Sequence, residues 1–251
     1  MIPWDSADFT LDEQRFRGVV RLFPLPDLVL FPHVMQPLHI FEPRYLQLLH
    51  EALDSDGLIA MSTFLPGWEA NYEGRPGLCH ALCIGRVVTH QRQDDGAYNV
   101  MLLGLRRARL IEELPPRKLF REARVELLED LQPERSADFN QSLQAELCEK
   151  FRQFLPDDFG DNPSVVDLLQ SEASLAALTD LVSFAAPLET PVKYELLAER
   201  DVEVRARRLC DALAGAETTK SDSVRAEEPA PGLPAPGNAD DDGFPPRFSL
   251  N

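Results

Sequence analysis

Lysine is scarce in this sequence: Lys118, Lys150, Lys193 and Lys220 are the only four in 251 residues. None of them completes a G-x-x-x-x-G-K-[ST] loop, so the usual cradle for a nucleoside triphosphate is missing. A G-x-G-x-x-G turn and a G-x-S-x-G nucleophile elbow are missing as well, which removes the common dinucleotide and α/β-hydrolase signatures. Among the five histidines no H-E-x-x-H occurs, and no spacing of Ser, His and Asp singles out a triad. No catalytic residue is therefore named; a cryptic peptidase is kept as the last alternative.

Cysteine is nearly as rare. Cys79, Cys83, Cys148 and Cys210 are too few and too scattered for a disulfide scaffold. Cys79, His80 and Cys83 form C-H-x-x-C, but a structural zinc site needs a fourth ligand, and none lies nearby. Buried, reduced thiols are the reading, with neither metal nor cofactor. No apolar run approaches the roughly 18 residues of a membrane span, and the acidic start MIPWDSADFTLDEQ lacks the regions of a signal peptide. The expectation is a soluble, cytoplasmic protein without membrane contact.

What is present is acid. Lys and Arg number 25 against 42 Asp and Glu, a formal charge of −17, while 44% of residues are hydrophobic and 27% charged. That balance argues against broad nucleic-acid binding, which needs clustered cations. The length suits one large domain or two small ones. Residues 1–17 read as a lead-in segment that could dock through Trp4, Phe9 and Phe16. Residues 18–132 read as β-rich. VVRLFPLPDLVLFP suggests two strand pieces kinked by prolines at a sheet edge, and MQPLHIF a further strand. EPRYLQLLHEALDSDG suggests one inserted helix opened by Pro43 and ended near Gly57. LIAMSTF reads as a buried strand, PGWEANYEGRPG as a loop and REARVELLED as a last strand. Asp95-Gly96 between two β-rich runs marks a hairpin.

From 133 to 215 the period changes to 3.6. Phe139, Leu143, Leu147, Phe151 and Phe154 form one stripe. PSVVDLLQSE, SLAALTDLVSFAAP and VKYELLAERDVEVRARRLCDALAGA supply further helices of a compact bundle. Residues 216–251, acidic and proline-rich, read as a disordered tail ending in FPPRFSLN. One basic concentration interrupts the acid: Arg106, Arg107, Arg109, Arg117, Lys118, Arg121 and Arg124. Its functional reading is a patch for an acidic peptide or RNA; the favoured reading is a solvated strand face paired with neighbouring acids.

The run FPLPDLVLFPHVMQPLHIFEPRYLQLL (23–49) resembles the N-terminal substrate-binding domain of the Lon protease family, particularly its stand-alone bacterial members. IGRVVTH (84–90) and VMLLGLRRARLIEE (100–113) continue the likeness. The resemblance implies an α+β fold: a PUA-like small β pseudo-barrel followed by an α-helical bundle. It also implies capture of unfolded or exposed polypeptide segments, with a separate protease as a candidate partner. Full-length members carry an unfoldase and a Ser/Lys peptidase module; these 251 residues hold no motif of either. The expectation is a non-catalytic peptide-binding module, with an RNA-binding module using Arg106–Arg124 as the alternative. Phe41, Tyr45, Phe64 and Trp68, near element ends or in the 65–77 loop, are the peptide-binding candidates. For Phe41 and Tyr45 burial in the core is the favoured reading; Trp68, beside Gly67 and Glu69, is the better contact residue.

Overall fold

In the computed structural model, residues 10–71, 74–132, 137–154 and 174–226 are described, apart from the side chains of 137, 138 and 217–226. Six strands come first: β1 (Val19–Leu25), β2 (Met35–Ile40), β3 (Leu58–Thr63), β4 (Ala81–Arg92), β5 (Tyr98–Glu113) and β6 (Arg121–Leu127). One helix, α1 (Pro43–Leu53), lies between β2 and β3, and a 3₁₀ turn spans Trp68–Asn71. Among the described residues four helices follow: α2 (Ala137–Arg152), α3 (Leu175–Ala185), α4 (Thr190–Ala198) and α5 (Val202–Ala226).

The strand order is β2-β5-β4-β3-β1-β6, and β5 also pairs with β6. That last pairing closes β5, β4, β3, β1 and β6 into a ring and leaves β2 as an extension on β5. β1 and β3 are parallel, so the chain needs a crossover between them, and α1 supplies it. Pro43 sits in the first turn of α1 beside the N-cap Glu42, while Tyr45, Leu48, Leu49 and Ala52 bury its inner stripe. Gly57, at φ 71°, returns its N–H to the Ala52 carbonyl at 2.8 Å and turns the chain into β3. The β4–β5 hairpin closes at Gly96, φ 88°, with the Asp95 carboxylate accepting from the Ala97 N–H at 3.0 Å.

Alternation along the strands divides the apolar residues between two cores. Val20, Leu22, Leu58, Ala60, Leu82 and Ile84 belong to one, inside the ring. Phe23, Ile59, Met61 and Cys83 point the other way, into a core shared with α1, α2, α3 and α5. This is why β3 is buried along its whole length and reads as an unbroken apolar run.

Several local expectations change. β1 is one strand, paired with β6 from Val19 to Leu22 and with β3 from Leu22 to Leu25. Beyond Leu22 only β3 accompanies it, so Pro24 stands where one side is free and its missing donor costs nothing. The expected second strand piece is instead an irregular segment whose Val29, Leu30 and Phe31 are buried. It is tied to β5 at Gly104: His33 N–H to Gly104 O and Gly104 N–H to Val34 O, both 2.8 Å. A Cβ at Gly104 would overlap the Phe31 carbonyl, so glycine permits the backbone approach. The 65–77 loop contains the Trp68–Asn71 turn. The long helical run from Val192 breaks at Glu199–Asp201, where Leu131 N–H bonds Arg200 O at 2.8 Å and Val202 N–H bonds Leu131 O at 3.0 Å. The Asp201 carboxylate then accepts from Val204 N–H at 3.1 Å, the N-cap contact that restarts the helix as α5. α5 runs past Gly215 to Ala226, into the segment expected to be disordered, because an established helix propagates at little cost where no proline intervenes. The expected helix in PSVVDLLQSE, Trp4, Phe9 and residues 227–251 lie outside the described residues.

Candidate functional site

β2 is flanked by β5 on one side and, among the described residues, by no strand on the other. Its burial alternates: Gln36, Leu38 and Ile40 face the core, whereas Met35, Pro37 and His39 face solvent. Met35 is 45% exposed and Phe41, just beyond the strand, 43%. Register places Met101 opposite Pro37 and Asn99 opposite His39. His39 Nδ1 lies 2.8 Å from Asn99 Oδ1, and its ring is 5.8 Å from that of Phe41. No Asp, Glu, Lys or Arg occurs between residues 28 and 41. The result is a neutral, partly apolar face beside an open strand edge. Edges are ordinarily guarded by charge or proline; here Pro37 is the guard within the strand.

Phe41 was expected in the core and is instead exposed on this face. Tyr45 is in the core: its ring stacks on Phe23 at 4.1 Å, and its hydroxyl donates to the Pro24 carbonyl at 3.1 Å. Phe64 is buried too, which withdraws it as a contact residue. Its backbone bridges Leu78 and its ring stacks on Trp68, centroids 5.5 Å apart. Trp68 is half-buried and packs on the core inside the ring. Thus the four aromatics do not converge. Met35, Pro37 and Met101, which complete the face around Phe41, were not singled out, although the period-2 pattern of MQPLHI carries the signal.

The basic stretch becomes a series of ion pairs. Arg106 meets Glu13, Arg109 meets Glu126, Arg124 meets Glu112 at 3.1 Å and Arg121 meets Glu113. Lys118 bridges Glu51 and Glu122. Arg107 is buried against Asp180, which corrects its assignment to a surface patch; Arg117 is exposed. Burial opposes ionisation of Glu113, but hydrogen bonds from Arg121 and Arg75 outweigh it and hold the carboxyl below its ordinary range. For Lys118, the hydrogen bond to Glu51 outweighs burial and raises the ammonium above its ordinary value.

Among the described residues no group of three or more His, Cys, Asp or Glu could hold a metal. The four cysteines are free and buried; burial pushes the Cys79, Cys83 and Cys148 thiols up and that of Cys210 to about 11. Among the described residues no helix is long and apolar enough to cross a membrane.

Residues 19–215 match the family model of the ATP-dependent protease La (LON) substrate-binding domain, and the chain belongs to that family. Curated relatives include a Lon protease of Heliobacterium modesticaldum, 23% identical over 81% of this chain and 25% of the relative. Lon protease 2 of Desulfotalea psychrophila is 28% identical over 76% of this chain and 24% of its own length. The chain thus spans about a quarter of these curated relatives. Solved structures that share the fold include two Lon N-terminal domains. The N-terminal domain of Mycobacterium avium complex Lon protease has a TM-score of 0.62 at 18% identity, covering 78% of this chain and 98% of that one. The Lon N-terminal domain protein from Xanthomonas campestris has a TM-score of 0.56 at 22% identity, covering 76% and 96%.

Proposed function

We propose that this protein binds extended, apolar polypeptide segments through the face formed by β2, Phe41 and Met101, and that it does so without cleaving them. The observation that carries this reading is the open β2 edge, free of formal charge and flanked by Met35, Pro37 and Phe41. An extended peptide pairs with such an edge through its backbone, which tolerates sequence variation, while exposed apolar side chains supply contact area. Membership of a substrate-binding family supports the same assignment. The ring of five strands supports the PUA-like description of the barrel, and the four buried free thiols are compatible with a reducing, cytoplasmic setting. The ion-paired arginines remove the main support for RNA binding.

The test is binding of fluorescent, unfolded apolar peptides to the purified chain. Phe41→Ala is expected to weaken binding by about 1–2 kcal/mol, the scale of an ordinary interface anchor, while leaving the melting temperature unchanged. Unaltered affinity would remove the β2 face from the reading. ATP turnover or casein degradation by the same preparation, above a mock-purified control, would overturn the non-catalytic part.

A further inference from the structure

Four charged side chains from both halves of the fold meet where the barrel touches the helices. Arg107 comes from β5, Asp130 from the segment after β6, Asp180 from α3 and Arg205 from α5. Arg107, Asp180 and Arg205 are each 3% exposed or less. Asp180 receives both terminal nitrogens of Arg107, one at 3.0 Å, and Arg107 Nε donates to Leu197 O at 3.1 Å. Arg205 binds Asp130 with the same two-pronged geometry, at 3.0 and 2.8 Å, and also donates to Glu199 O at 2.8 Å. The two pairs are cross-linked: Arg107 lies 3.4 Å from Asp130, and Arg205 Nε 3.6 Å from Asp180.

The quartet is electrically balanced, and its planar forks accept one arrangement only. Apolar burial around it is non-directional and would tolerate several. The barrel has a second core of its own, inside the ring, to which no described side chain of α2–α5 contributes. We propose that Arg107, Asp130, Asp180 and Arg205 are a conformational latch: they fix the helical layer in one orientation on the barrel, and their release frees the helices while the barrel persists. Removing any one partner leaves an uncompensated buried charge, so the quartet holds only while it is complete.

Hydrogen exchange by mass spectrometry on the full chain tests this. In D180N, two buried cations face one carboxylate. Amides of α3, α4 and the Val202–Gly215 part of α5 are expected to exchange about a hundredfold faster than in the parent, with those of β3 and β4 essentially unchanged. R205K keeps the charge but loses the fork, and should give the same split with smaller amplitude. Should neither variant accumulate as folded protein, the parent chain in low urea decides: the helical amides open together, at lower urea than those of β3 and β4. Equal acceleration in helices and barrel, a single opening step for both, or helices indifferent to D180N would overturn the latch.

Discussion

The β2 edge and the Arg106–Arg124 stretch belong to one sheet and meet solvent in opposite ways. β2 carries no formal charge, yet leaves Met35 and Phe41 nearly half exposed. The arginine stretch is dense with charge, yet all its cations but Arg117 are held by a carboxylate within it or elsewhere in the fold. Charge here works inwardly, joining β5 to the N-terminal segment, to β6 and to the helices. The surface proposed to receive another molecule is the uncharged one. In a chain of net charge −17, that neutrality spares an incoming apolar strand the local repulsion or desolvation that an acidic face would impose.

The comparison is broken most sharply at Arg107. If the arginines are internal fittings, Arg107→Met leaves Asp180 and Asp130 to share Arg205 alone and should cost about 3–5 kcal/mol of stability. Arg124→Ala, which removes a pair more than half exposed on both sides, should cost less than about 1 kcal/mol. Equal losses in urea denaturation would mean that position within the stretch does not matter.

Trp68 comes next. Its ring is half-buried against Phe64, so Trp68→Ala should lower stability by about 2 kcal/mol, below the range for a fully buried aromatic, and leave peptide affinity unchanged. Lost affinity at full stability would move the binding surface from β2 to the 65–77 loop. Met35→Lys then tests the edge itself: a lysine guard should weaken peptide binding about tenfold, with little change in melting temperature.

How much of this was legible depended on how local the signals were. α1 was readable because Glu42-Pro43, a Tyr45–Leu48–Leu49–Ala52 stripe and Gly57 all act within one helix. The β4–β5 hairpin was readable from Asp95-Gly96 alone. The irregular path of Val29–Phe31 was not, because its apolar residues look like a strand and only Gly104, seventy residues on, shows where its backbone is held. Phe41 and Tyr45 lie four residues apart with similar side chains; which one is buried depends on where Phe23 and Pro24 sit. Arg107 differs from Arg106 and Arg109 only through its partner, Asp180, on a helix that composition could not place against β5. The ends of α1 and the β4–β5 turn were in the sequence; the break at Glu199–Asp201 and the pairings across the fold were not.

The smallest effect expected is in pH dependence, and it separates two members of the paired stretch. Glu113 has a folded-state pKa below its unfolded value, since hydrogen bonds from Arg121 and Arg75 outweigh burial. Its contribution to stability is present above the unfolded value, about 4.3, and is lost as pH falls through the lower folded value. Lys118 has a folded-state pKa above its unfolded value, because the hydrogen bond to Glu51 outweighs burial. Its contribution is complete below about 10.4 and is lost as pH rises through the higher folded value. Melting temperature against pH should therefore change differently in two variants. Glu113→Gln should flatten the acid limb alone, and Lys118→Met the alkaline limb alone. Both limbs should stay shallow at these sites, since Lys118 is only partly buried and water screens its pairs. If Glu113→Gln left the acid limb as steep as in the parent, the Arg121 and Arg75 contacts would not be holding the carboxylate in solution, and this end of the stretch would be free to meet a partner.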